Sequence, residues 1–319
     1  MHWLTVSLAT RNPQRLPGIF PIERNALTLR TVLRAALIIP LLILNLMLWG
    51  TLILLGGVVK LLTFGRGKRP LIFALTWLAA RWVRGNDLIF DTLLSTQWRV
   101  EGVDDLRNDA HYLIISNHIS WTDIFAAFRV FTGRAPFIRF FLKQSLAWMP
   151  IAGQAAWALE FPFMRRYSAE YLAQHPEKRG RDLETTRRAC KRYQYFPVSV
   201  LNYVEGTRFT RDKHEEQASP YRHLLRPRIG GVGFVLASLG EQLDAILDVT
   251  VIYPSQDLTV WDFVTNRVPW IRVHCRTLEV PRQFVDAAIT EPGPARDRFK
   301  EWVEQLWREK DEEIGIFSS

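Results

Sequence analysis

The stretch Tyr112 to Asp123, YLIISNHISWTD, decides the class of fold. Tyr112 to Ser116 is a short apolar run with two isoleucines, the pattern of a buried strand. Helical spacing starts at Thr122 and holds through Phe131, so a strand passes through a polar turn into a helix. The same alternation recurs outward from this point. Gln97 to Glu101 alternates and stops at Gly102, which reads as a strand and a turn. Downstream, Leu159 to Met164, Val198 to Val204, Ala245 to Tyr253 and Ile271 to Val280 read as further strands. Helical patterns cover Arg181 to Arg192, Gly231 to Leu239 and Pro294 to Glu313, the last with Phe299, Val303 and Leu306 at helical intervals. Strands alternating with helices predict an α/β fold: a mixed, mostly buried sheet covered by helices.

Upstream the character of the chain changes. Ala35 to Val59 holds no charged side chain, between Arg34 and Lys60. As a helix rising about 1.5 Å per residue, this run exceeds the roughly 30 Å hydrocarbon core of a bilayer. A soluble helix of that length carries a polar stripe. A cleaved leader would start earlier, be shorter and end in a small-x-small site. Both flanks are basic, with Arg11, Arg15, Arg24, Arg30 and Arg34 before the run and Lys60, Arg66, Lys68 and Arg69 after it. A single straight span would leave one positive flank on the wrong side of the membrane. Pro40, Asn45 and the pair Gly56-Gly57 are therefore expected to break the run, so that it dips in and returns. Leu71 to Ala80 is too short to span, and Trp77 and Trp82 suit the interface. The chain divides on this reading into a basic flank (1–34), a helical membrane anchor (35–95) and an α/β domain (96–319).

Among the 319 residues are 41 Lys plus Arg against 32 Asp plus Glu, a net charge of +9. An apolar fraction of 48% with 23% charged excludes a disordered chain. Two cysteines, Cys190 and Cys275, cannot make a disulfide framework, and no Cys-x-x-Cys or His-x-x-x-His spacing marks a metal site. No metal or cofactor is expected. Arginines and lysines are scattered among apolar blocks rather than gathered on a nucleic-acid motif, so the charge points to a membrane surface or an acidic substrate.

Two constellations carry chemistry. The first is Asn117-His118-Ile119-Ser120-Trp121-Thr122-Asp123, directly after a strand. His118 and Asp123 would sit on different faces of a continuous helix, but they meet if the helix starts between them. Ser120 and Asp123 have the spacing of a capping box, with the carboxylate turned back over the helix start. Such a pair suits general-base catalysis, Asp123 fixing the imidazole tautomer. The same spacing also serves as an ordinary helix cap. The second constellation is Glu205-Gly206-Thr207-Arg208, at the end of the strand Val198 to Val204. Gly206 permits a tight turn, Thr207 offers a hydroxyl, and Arg208 a fork of donors matched to phosphate. Basic clusters at Phe161 to Arg166 and Leu224 to Gly231 add further positive ends.

Asn-His-x-x-x-x-Asp, then Phe161-x-x-x-Arg165, then Glu-Gly-Thr-Arg, then the Pro-bearing strand Leu247 to Pro254 resemble the glycerolipid acyltransferase family in order and spacing. Its best-known members are the 1-acyl-sn-glycerol-3-phosphate acyltransferases. The likeness runs from roughly residue 97 to 254, about half the chain. It implies His118 as catalytic base with Asp123 as partner. It implies Asn117, Lys143, Phe163, Arg165, Glu205, Gly206, Thr207 and Arg208 as the substrate-binding set. Lys143, in the stretch through Leu146, Pro150 and Gly153, resembles the family's helix facing the pocket. Pro162, Met164 and the pair Tyr203-Val204 resemble the branch containing lysophospholipid and lysocardiolipin acyltransferases.

The implied reaction moves a fatty acyl chain from acyl-carrier protein or acyl-coenzyme A to the sn-2 hydroxyl of lysophosphatidic acid or a related lysophospholipid. The expected setting is the cytoplasmic face of a bacterial inner membrane. Two other readings share these features. A lipid A-type acyltransferase also has a membrane anchor and a His-x₄-carboxylate pair, though Glu-Gly-Thr-Arg disfavours it. A non-enzymatic basic adaptor on the membrane surface would use the His-Asp motif only as a cap.

Overall fold

The computed structural model describes residues 29–63, 67–164, 174, 181–193 and 195–318. In chain order the elements are α1 (Leu29–Leu62), α2 (Lys68–Leu93), β1 (Gln97–Glu101), β2 (His111–Ser116), α3 (Thr122–Phe131), β3 (Ile138–Phe140), β4 (Leu142–Lys143), α4 (Ala152–Ala158) and β5 (Phe163–Met164). They continue with α5 (Arg181–Tyr193), β6 (Val198–Tyr203), α6 (Arg211–Glu216), α7 (Ile229–Leu239), β7 (Ala245–Ile252), α8 (Val260–Val264), β8 (Trp270–Leu278) and α9 (Pro294–Ser318).

Six strands form one sheet in the order β1-β8-β7-β2-β6-β3. β7, β2, β6 and β3 are mutually parallel, so their carboxyl ends share one edge. β8 runs antiparallel to β7 and carries β1 parallel to itself. The period-2 alternation splits each central strand between two cores. Tyr112 and Ile114 of β2 face the core under α1, α2 and α3, while Leu113 and Ile115 face the core under α7 and α9. All eight residues of β7 are buried, which accounts for its nearly continuous apolar reading.

The apolar N-terminal run is one unbroken helix with Pro40 inside it, which corrects the expected break. Residues read as breakers are contact points instead. Asn45 donates to the Trp82 carbonyl at 2.8 Å and to Asn86 Oδ1 at 2.9 Å. A Cβ added at Gly56 would lie 2.6 Å from Leu75, and one at Gly57 would lie 2.9 Å from Ala158. The small residues let α2 and α4 approach the α1 backbone closely, as in membrane helix pairs. The return of the chain is made by α2, which extends past the expected Leu71 to Ala80. Leu75, Ala79, Val83, Asn86 and Phe90 give it a buried stripe across Arg81 and Arg84. α1 also contacts α4 and α8, so the antiparallel α1–α2 pair rests along the α/β layer rather than standing away from it. Lys60 fastens this arrangement. It is buried, and it bonds the Ala158 carbonyl at 2.5 Å and Glu160 at 2.6 Å.

Two further expectations need correction. Leu159 to Met164 is a strand only at Phe163–Met164, because the chain turns at Glu160, whose φ is 66°. Lys143 does not open a helix. It ends the two-residue strand β4 and is followed by a 3₁₀ turn, Gln144–Trp148, before Pro150 stops that turn ahead of α4. The two ends nevertheless meet, since β4 pairs with β5 and sets Lys143 opposite Met164.

Candidate active site

Parallel strands present their carboxyl ends as the ligand-binding edge of an α/β sheet, and the motif residues lie there. β2 delivers Asn117 and His118, β6 delivers Glu205 to Arg208, and β7 delivers Tyr253. α3 starts at Thr122 with Trp121 as its N-cap, so His118 sits before the helix and Asp123 inside its first turn. The two side chains meet, with His118 Nδ1 2.8 Å from Asp123 Oδ2. Only half of the expected capping box forms. The Ser120 amide donates to Asp123 at 2.9 Å, but Ser120 Oγ accepts from the Thr122 amide at 3.3 Å. The Asp123 amide takes the Ser120 carbonyl instead.

Asp123 is fully buried and collects four donors. Oδ2 receives the amides of Ile119 (2.6 Å) and Ser120 (2.9 Å) as well as His118 Nδ1, and Oδ1 receives the Tyr253 hydroxyl at 2.5 Å. An oxygen that already accepts two backbone N–H groups has no proton to offer, so Nδ1 is the donor of the His–Asp bond. Nε2 then carries the free lone pair. The Tyr203 ring stacks on the imidazole at 4.0 Å and 14°, fixing its plane. The His118 side chain remains 15% exposed, enough to meet a substrate.

Asn117 and Glu205, expected among the substrate-binding residues, bond to the protein's own backbone. Asn117 is completely buried and spends its amide on both backbone groups of Val251, at 2.8 and 2.9 Å, locking the end of β2 to β7. Glu205 is also buried. It accepts the amides of His118 (3.2 Å) and Leu225 (3.4 Å), tying the histidine loop to the loop before α7. Both side chains are buried, and each of their polar atoms is bonded to backbone. Burial pushes the Glu205 carboxyl up to about 8, against weaker lowering by those two amide bonds. The folded protein therefore keeps a proton that the unfolded chain releases above an ordinary carboxylate pKa of about 4.3. Stability then falls as pH rises from about 5 to about 8 and levels off beyond. In Glu205→Gln this part of the slope disappears, as melting midpoints against pH would reveal. An identical slope in the variant would remove Glu205 as its source.

Gly206 takes φ 68° in the turn after β6, as the tight turn requires. Thr207 Oγ1 accepts from Lys213 Nζ at 2.8 Å, and Lys213 also holds the Arg208 carbonyl at 3.1 Å. Arg208 is exposed and lies over the Trp121 ring at 5.2 Å. Arg228, the N-cap residue of α7, reaches across the same turn, its Cδ 2.9 Å from where a Cβ on Gly206 would stand. No carboxylate pairs with Arg208, Lys213 or Arg228 among the described residues. Three cations without a counter-charge around one exposed turn make a concentration of positive charge suited to an anion. Lys213 is what motif reading missed, whereas Arg228 belongs to the basic cluster Leu224 to Gly231 already named. Phe163 and Lys143 lie on the β4–β5 pair, a separate two-stranded sheet whose first strand follows β3 after one residue. Arg165 falls outside the described residues.

Comparisons with known proteins agree with this geometry. The acyltransferase family model matches residues 97–253. Lysocardiolipin acyltransferase 1 of Danio rerio is 32% identical over 139 residues, 39% of this chain and 34% of that protein. The epsilon 1-acyl-sn-glycerol-3-phosphate acyltransferase of Mus musculus is 23% identical over 240 residues, 64% of this chain and 57% of that protein. The chain thus spans between a third and three-fifths of these relatives' lengths. Among solved structures, the 1-acyl-sn-glycerophosphate acyltransferase PlsC of Thermotoga maritima superposes with a TM-score of 0.51 at 15% identity, covering 90% of this chain and 96% of that one. That likeness establishes the shared fold.

Proposed function

We propose that the chain is a glycerolipid acyltransferase, like the proteins it matches, and that it transfers a fatty acyl group from a thioester to the sn-2 hydroxyl of a lysophospholipid at a membrane surface. The observation that carries this reading is an imidazole with Nδ1 committed to Asp123 and Nε2 free, beside a turn ringed by unpaired cations. His118 Nε2 takes the hydroxyl proton as that oxygen attacks the thioester carbonyl carbon. The tetrahedral intermediate collapses with loss of the thiolate, which recovers the proton from His118. No group on the protein is acylated. Arg208, Arg228 and Lys213 hold the acceptor phosphate, so the hydroxyl meets the thioester in attack geometry. Lys143 and Phe163 serve the acceptor from the β4–β5 pair, and the family resemblance assigns Arg165 the same role.

The apolar helix α1 and the family both support membrane association. Because the α1–α2 pair rests along the α/β layer, both basic flanks can stay on one side if the pair lies within one leaflet. The cytoplasmic face of a bacterial inner membrane is the setting in which acyl-carrier protein or acyl-coenzyme A would be the donor.

A donor-by-acceptor matrix tests the reading. Purified protein in vesicles, given labelled acyl-coenzyme A or acyl-carrier protein, is expected to convert lysophosphatidic acid or lysocardiolipin to the acylated product. Arg228→Ala is expected to raise the acceptor KM by about 10- to 100-fold, the loss of one charge-assisted hydrogen bond, with kcat little changed. A kcat loss at constant KM would remove Arg228 from the phosphate seat. Absence of product from every pairing would overturn the function.

A further inference from the structure

Between Lys143 and Glu160 the sequence carries no charge for sixteen residues, QSLAWMPIAGQAAWAL. This is the second long uncharged stretch of the chain, and the structure lays it against the first. Ile151 packs onto the α1 backbone where a Cβ on Gly50 would collide with it. Seven residues later Ala158 meets Gly57, and Lys60 closes onto Ala158 and Glu160. α4 therefore follows α1 turn for turn, in the same direction, along the middle and end of its charge-free run. Ile151 holds φ 63°, a left-handed conformation unfavourable to a β-branched residue. The Ala152 amide closes a tight turn over it onto the Pro150 carbonyl at 2.7 Å, and its side chain sits against Gly50 of α1.

The outer side of this segment is apolar and uncovered. Trp148 is 82% exposed, with Met149, Pro150 and Trp157 also exposed. On α1, Met47, Leu48, Leu52 and Leu55, on faces that neither α2 nor α4 covers, are exposed as well. Exposed apolar side chains on two charge-free segments packed side by side are the mark of contact with a nonpolar medium. We propose that Gln144–Leu159 enters the lipid leaflet beside α1, with Trp148, Met149 and Pro150 as its hydrocarbon-facing tip. The inference rests on the membrane reading above and adds a consequence for the site. The base of the inserted segment is the β4–β5 pair carrying Lys143 and Phe163. A lysophospholipid then reaches those residues from within the leaflet, its acyl chain never crossing water.

The native thiols make the test direct. Cys190 and Cys275 are buried, and burial pushes both up to about 12, so neither competes for a thiol label. Full-length Trp148→Cys, Leu48→Cys and Lys300→Cys, each carrying a nitroxide, are reconstituted in phosphatidylglycerol-containing vesicles. Relaxation is then measured with oxygen and with a water-soluble nickel chelate. The expected result is an oxygen-to-chelate ratio at 148 equal to that at 48 and several-fold above that at 300. A water-like ratio at 148 with a lipid-like ratio at 48 would overturn the inference and leave membrane attachment intact. Water-like ratios at both would overturn the membrane reading and the inference with it. Met149→Cys, on the same tip, provides the same measurement should the first variant fold poorly.

Discussion

His118→Ala abolishes acyl transfer while the protein stays folded and membrane-attached. The side chain is 15% exposed and sits in front of a sheet whose cores do not depend on it, so its removal leaves a small surface gap. What disappears is the free Nε2 lone pair. A positioned base contributes about 10²- to 10⁴-fold, and turnover is expected to fall by at least that range. The backbone of residue 118 keeps its own bonds, the amide to Glu205 and the carbonyl to the Phe209 amide at 2.7 Å. The cationic turn therefore survives, and acceptor binding to the variant is expected to remain near normal. Activity with labelled donor, measured beside acceptor binding and membrane flotation, separates these effects. Near-normal turnover in the variant would end the general-base assignment. Loss of binding together with activity would mean instead that the ring holds the site together.

Lys310→Ala unfolds the protein more readily than any other single substitution considered, by about 3–5 kcal/mol, the cost of leaving a buried charge unpartnered. Lys310 on α9 and Asp248 on β7 are both wholly inaccessible and lie 2.6 Å apart. The ammonium also holds the Val249 carbonyl at 2.7 Å and Thr250 Oγ1 at 3.1 Å. Arg276 bonds the other oxygen of Asp248 but cannot satisfy the oxygen that Lys310 leaves. The consequence reaches the active site along β7. Two residues beyond Val249, Val251 is clasped by Asn117, and Tyr253 holds Asp123. Chemical denaturation in detergent should show the loss, and Lys310→Met with Asp248→Asn should recover much of it, because no lone charge then stays inside. A change below about 1 kcal/mol, the scale of an exposed ion pair, would show that water reaches this network.

Particular residues mark how far the sequence could be read. β1 and α3 begin and end where their patterns do, because period 2 and period 3.6 are local properties. The meeting of His118 and Asp123 was legible for the same reason, since five residues across a helix start leave few arrangements. The backbone partners of Asn117 and Glu205 were not legible, because a polar residue in a site motif looks alike whether it faces ligand or backbone. Only the partners across the sheet, Val251 and Leu225, distinguish the two. Asn45 and Gly56 misled: residues that weaken a lone helix strengthen one packed on a neighbour. The Lys143 stretch failed because β4 has meaning only with β5 beside it, twenty residues away.

By itself the sequence determined the α/β class, the apolar helix, the His–Asp pair and the order of motifs that resembles the glycerolipid acyltransferases. Each depends on residues within a turn or two of one another, where chain geometry leaves little freedom. The tertiary structure alone decided which polar groups face outward, which cations stay unpaired around Gly206, and which apolar segment lies against α1. Those outcomes are set by contacts between residues far apart in the chain. Burial and pairing belong to the assembled pair, and neither partner carries a local signal of the other.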